Sequence, residues 1–234
     1  MGVLKRGANT MVYDDNVSKI GSTTVDGAVK KLDERLDILE NTNHISNSGN
    51  LTAVGWKDNI IPIIPSRSNA TDSPLWTDIG NGIEACVFAD SKLQSNTMHF
   101  HINHDYMINT PIYPHIHWLP LSNSTGNVVW QLSYRYAKAF GQGQTLTGTL
   151  TTITLIQNAN GIIGEHLTTE VDDLNTINGI SEPDVVLVMS LKRLGSDVRD
   201  TFVGSVAALF VDLHYQSDMD HTPNKRPNFR TIGG

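Results

Sequence analysis

The sequence predicts a mainly β protein, a jelly-roll-like β-sandwich preceded by a short N-terminal coiled-coil helix. Beyond Trp56, apolar and polar residues alternate at strand period, and Asn-Gly and Gly-containing turns break the runs repeatedly. Before Trp56, a single segment carries helical period instead. Only 18% of the residues are charged, and Thr, Ser, Asn and Gly supply much of the rest, a composition suited to short strands and many turns.

Residues 1–21 are expected to form an extended anchoring arm. Gly2, Gly7, Asn9 and Asn16 interrupt it, and Val3, Leu4, Met11, Val12 and Tyr13 are too scattered to make a core of their own. These five are the candidate anchoring residues, since such an arm orders only by docking on something else.

Residues 22–41 read as the helix. Ser22, Thr23 and Thr24 offer N-cap oxygens, and Asp26 follows Thr23 by three. Val25, Val29, Leu32, Leu36 and Leu39 then recur in steps of 4, 3, 4 and 3, a heptad seam, while Lys30, Lys31, Glu34 and Arg35 occupy other faces. The seam predicts self-association of several copies; the alternative is an amphipathic helix lying on its own domain. A helix this short is marginal alone in water, so it would align subunits rather than hold them together. Residues 42–55 are rich in Asn, Ser and Gly and read as a linker.

The β-sandwich domain is expected over 56–216 and an extended C-terminal tail over 217–234. Strands are expected at 57–64, 83–89, 97–103, 111–119, 128–138, 145–156, 184–192 and 205–215. Val128, Trp130, Leu132, Tyr134 and Tyr136 fall on one strand face. In the last strand Ala207, Leu209, Val211, Leu213 and Tyr215 share a face, with Asp212 and His214 opposite. Val186–Leu191 is apolar on both faces, as in a central or interface strand. Turns are expected at Asn81-Gly82, 124–127, 141–143, Asn160-Gly161, Asn178-Gly179 and 194–196.

Charge and cysteine usage exclude several classes. The net charge is −7, with 17 basic against 24 acidic residues, so the chain lacks the basic excess that neutralises phosphates and no nucleic-acid partner is expected. No apolar run approaches the roughly 20 residues of a membrane span, and no signal peptide is visible, so no membrane partner is expected either. The lone Cys86 sits in an apolar run and reads as a small buried hydrophobe.

The strongest site signal is histidine. Five of the nine lie close together: His99, His101, His104, His115 and His117. His99/His101 and His115/His117 are His-x-His pairs on expected strands, so each pair projects two imidazoles to one side. Met98, Phe100, Ile102, Ile116 and Trp118 alternate with them, so the histidines should look out of the sandwich. Such pairs suit zinc, iron or nickel, and around a three-fold axis could supply six nitrogens. After His117, however, the chain reads Trp118-Leu119-Pro120-Leu121-Ser122, without the acid that a cupin-type metalloenzyme carries there. Hydrogen-bonded structural histidines are therefore expected, with a structural metal on His99, His101, His115 and His117 as the alternative. No cofactor and no catalytic residue are assigned. Nucleophile-elbow, phosphate-loop and His-Glu-x-x-His motifs are absent. Trp56, Trp76, Trp118 and Trp130 are core residues or carbohydrate-stacking platforms.

Two stretches carry a resemblance. The segment from Asp14 through Val29 to Leu39 is similar to the helical lead-in of many phage appendage proteins. Tyr113-Pro114-His115-Ile116-His117-Trp118, followed by Gly126-Asn127-Val128-Val129-Trp130, Tyr134 and Leu213-His214-Tyr215-Gln216, resembles a group of tailed-phage virion proteins. The resemblance implies a homotrimeric head fibre, capsid decoration or tail appendage, assembled in the host cytoplasm. Its implied partners are itself and capsid or other virion proteins; the outer domain would either strengthen the capsid or adhere to a host surface glycan, and the sequence does not choose between them.

Overall fold

The structure, a computed structural model, describes residues 5–7, 10–12, 27, 29–31, 55–64, 73–147, 150–218 and 222–230. The chain divides into two units, 1–54 and 55–234. Among the described residues, no helix is long and apolar enough to cross a membrane.

In the first unit, β1 (Lys5–Gly7) and β2 (Thr10–Val12) pair antiparallel, Lys5 opposite Val12 and Gly7 opposite Thr10. The arm expected to be extended throughout therefore contains a small ladder, with Met11 and Val12 on β2. Val3, Leu4 and Tyr13 lie outside the described residues. Of the expected helix, Gly27 and residues 29–31 are helical and Val29 is exposed. Val25, Leu32, Leu36 and Leu39, the rest of the expected seam, lie outside the described residues.

The second unit is mainly β, built from two antiparallel sheets. One has strand order β10 (Leu167–Glu170), β7 (Ile112–Pro120), β12 (Val206–Ser217), β5 (Ile83–Phe88), β4 (Leu75–Gly80), with β3 (Gly55–Pro62) also paired to β12. The other runs β6 (Ser95–His101), β11 (Val185–Arg193), β8 (Thr125–Lys138), β9 (Thr151–Asn160). Strand alternation buries one face of each. Ile112, Ile116, Trp118, Val211 and Leu213 of the first sheet belong to the same core cluster as Met98, Phe100, Trp130, Leu132, Leu187 and Met189 of the second. β11 is a central strand, flanked by β6 and β8, which accounts for its apolar run.

Two turn chemistries act as expected. Asn81 and Gly82 both have positive φ (56° and 80°) between Gly80 and Ile83, as a two-residue hairpin demands. Gly161 and Gly179 also sit at positive φ. Gly126 was expected in a turn but lies inside β8. A Cβ there would stand 2.7 Å from the Thr201 carbonyl oxygen, so glycine admits the chain crossing over it.

That crossing segment is fixed by Arg193, which is fully buried. Its Nε donates to Asp200 Oδ2 at 3.0 Å and its Nη2 to Asp200 Oδ1 at 2.9 Å. Further N–H groups donate to the carbonyls of Gly204 and Phe202. The charge is thus paired and its fork filled, the condition under which a buried guanidinium is tolerated. Residues 222–230, expected as part of a tail, pack on the domain: Phe229 is buried against His104 and Phe140, and Arg230 pairs with Asp218.

Candidate functional site

β12 carries acidic chemistry to the outer face of the six-stranded sheet because it changes parity partway along. Ala208 lies opposite the fully buried Trp118, so even-numbered residues face the core there. The register then slips by one residue, and Phe210 lies opposite His117. A bulge of this kind re-aims every side chain beyond it. From Phe210 on, even-numbered residues face outward, and at the same place the flanking partner of β12 changes from β5 to β3. The single face expected for Ala207 through Tyr215 is therefore broken. Val211, Leu213 and Tyr215 point inward as anticipated, while Ala207 lies opposite Leu119 on the other side.

In this register Asp212 stands opposite His115, and His115 stands opposite Glu170 on β10. Asp212 Oδ1 is 3.3 Å from His117 Nε2 and 3.6 Å from His115 Nδ1. His115 Nε2 is 3.1 Å from Glu170 Oε1, off-line for a hydrogen bond. The other nitrogen of His117, Nδ1, meets His166 Nε2 at 2.9 Å and Thr168 Oγ1 at 3.4 Å. Phe210 stacks on the His117 ring at 4.2 Å, and His214 lies edge-on to His115 at 5.1 Å. Asp212 is only 5% exposed, although it lies on the outer face, because these side chains roof it.

Burial pushes the His117 imidazole below its ordinary pKa; Asp212 opposes that shift, and His166 and His115 add to it. Burial likewise raises the Asp212 carboxyl, against the pull of His115 and His117. The acid that the sequence lacks after His117 is thus supplied across the sheet. In sequence, Asp212 is marked only as a strand-mate of His214, and no spacing ties His166 or Glu170 to the histidine pairs. The distances between strands carry this cluster, so sequence spacing could not reveal it.

The same face continues toward an aromatic end. Trp56, on β3 opposite Gln216, is 52% exposed and lies edge-on to Tyr113 (5.7 Å) and His214 (4.8 Å). The Tyr113 hydroxyl donates to Asp173. Trp118 and Trp130 are core residues, the former donating its indole N–H to Thr169. Trp76 lies opposite Cys86 on the edge strand β4. Cys86 is fully buried, and desolvation pushes its thiol up to about 12, which leaves it inert.

His99 and His101 project from β6, on the outer side of the four-stranded sheet. The two His-x-His pairs therefore occupy opposite faces of the sandwich and do not share a site. His101 Nε2 is 2.5 Å from Asp184 Oδ1, and His104 Nε2 is 3.9 Å from the same oxygen. A pocket of about 190 Å³ lined by Ile108, Pro183, Phe229 and Arg230, among others, brings none of the histidines together.

No protein-family model and no curated protein sequence matches the chain. Among solved structures it is similar to dimeric latent PorU from Porphyromonas gingivalis, at 10% identity and a TM-score of 0.30, covering 76% of this chain and 14% of that one. It is also similar to the N-terminal CBM22-1 and GH10 modules of Clostridium thermocellum endo-1,4-beta-D-xylanase 10B complexed with xylohexaose (12% identity, TM-score 0.29, 74% of this chain and 28% of that one). A third is a carbohydrate-binding module specific for non-crystalline cellulose (10%, 0.27, 70% and 88%). The chain thus spans a small part of the first two. These likenesses are loose, and the fold assignment rests on the strand pairings above.

Proposed function

We propose that the chain is a non-enzymatic structural component of a tailed-phage particle, a homotrimeric appendage whose β domain presents a ligand-binding face. The particle assignment rests on the resemblance carried by Tyr113–Trp118 and its companion segments. The ligand is a host surface glycan, and the observation that carries this part is Trp56. A half-exposed indole, braced edge-on by Tyr113 and His214 and followed along the face by imidazoles and carboxylates, offers a sugar both a stacking platform and hydrogen-bond partners. Three copies in one trimer would raise a weak single-site affinity by avidity.

The test is titration of the full chain with host-derived surface polysaccharide. Trp56→Ala is expected to weaken binding by up to roughly tenfold, the worth of about 0.5–1.5 kcal/mol of aromatic contact. Equal binding by the variant would remove this face from the reading. A second reading, a metal-dependent enzyme, is favoured by the convergence of His115, His117 and Asp212, and requires substrate turnover that His117→Ala abolishes.

A further inference from the structure

The geometry points to a mononuclear site for a late first-row divalent cation, zinc or ferrous iron, held by His115 Nδ1, His117 Nε2 and an oxygen of Asp212 within one chain. The site shares its imidazoles and carboxylate with the face of the glycan reading, but metal uptake tests it without any glycan, and it differs from the six-nitrogen axial arrangement that His-x-His pairs suggest.

Three observations carry it. First, the donors converge at the separation a metal imposes. With bonds of about 2.0–2.1 Å, donors on a tetrahedral cation stand roughly 3.3–3.4 Å apart. The two carboxylate–imidazole separations are 3.3 and 3.6 Å, and all three donor atoms lie within 4.8 Å of one another.

Second, buried polar atoms at this point are orphaned. His117 Nε2 and Asp212 Oδ1 are inaccessible to solvent and stand 3.3 Å apart without the alignment of a good hydrogen bond. Buried polar atoms nearly always find partners, and two orphans aimed at one spot call for a shared one. A cation bound to both lone pairs would be that partner.

Third, the outward-facing nitrogen of His117 has the support that a metal-bound imidazole uses. His117 turns Nδ1 toward His166 and Thr168, while His115 Nε2 lies 3.1 Å from Glu170 Oε1 without a hydrogen bond to it. Such contacts on the far nitrogen fix ring orientation and tautomer, leaving the near nitrogen's lone pair for the metal. Two imidazoles and one carboxylate select zinc, iron or nickel over the all-oxygen preference of calcium and magnesium. Three protein donors also leave coordination positions open.

The experiment uses the full chain, stripped with chelator and titrated with Zn²⁺ by calorimetry and with Co²⁺ by visible absorption. One Zn²⁺ per chain, a rise in Tm, and Co²⁺ ligand-field bands are expected. His117→Ala/Asp212→Asn should lose all three, while His99→Ala/His101→Ala keeps them and Ca²⁺ produces none. Glu170→Gln and His166→Gln, on exposed side chains, should fold and bind roughly 10–100-fold more weakly. Absence of stoichiometric Zn²⁺ uptake overturns the proposal. So does uptake that stays unchanged in Glu170→Gln, His166→Gln and a folded His117→Ala/Asp212→Asn.

Discussion

Asp105 shows how a buried carboxylate is kept charged in this domain. Burial alone would raise its pKa, but Lys57 Nζ at 2.6 Å, the Tyr215 hydroxyl at 3.0 Å and Ser217 Oγ at 3.2 Å all donate to it, and the balance holds it below the ordinary 3.8. A depressed acid pKa adds stability that is present above the unfolded value and is lost as pH falls through the folded one. Asp105→Asn is therefore expected to be less stable than the wild type at neutral pH, with the gap narrowing below about pH 4 in urea titrations. Arg193 and Asp200 form a buried pair, both side chains almost wholly enclosed. Asp200→Ala strands the guanidinium and should cost about 3–5 kcal/mol in chemical denaturation. Neither network could be read from sequence. Arg193 follows an apolar run, and what encloses it is the return of residues 200–204.

Strands with clean alternation were legible, and those without it were not. β7 and β11 were found to within a residue because one face of each is buried, whereas β8 begins at Thr125, inside the stretch expected to turn, rather than at Val128. β4 and β10 were missed. β4 is an exposed edge strand with no buried row, and β10 has only four residues, mostly polar. β9 was placed early, from Thr145 rather than Thr151, because a Thr-rich stretch has β propensity on either side of the true boundary. Gly126 belongs to the same lesson. Glycine signals a turn or a close approach, and only the crossing at Thr201 decides between them. Gly126→Ala is expected to cost about 1–3 kcal/mol, measured by thermal unfolding, because the clash is with backbone that has little room to yield.

For the whole molecule, the sandwich separates two chemistries that the sequence had placed within nineteen residues of each other. His101 answers to Asp184 on one side; His115 and His117 answer to Asp212 on the other. That the histidines face outward was legible from alternation. Which of them meet an acid was not, because this depends on pairing between strands almost a hundred residues apart. Assembly is the other question at this scale. Light scattering of the intact chain is expected to give three times the monomer mass, and a chain beginning at Gly55 a smaller assembly. A monomeric intact chain would remove the trimer and with it the avidity argument.

The slip between Ala208 and Phe210 has an evolutionary consequence. Deleting one residue there would turn Asp212 and His214 into the apolar interior and push Val211, Leu213 and Tyr215 into water, so the domain would fail before the face was merely altered. Length variation at Leu209 is therefore closed to descendants of this chain. Their outer face can diverge toward new ligands only by exchanging one side chain for another, with strand length held constant.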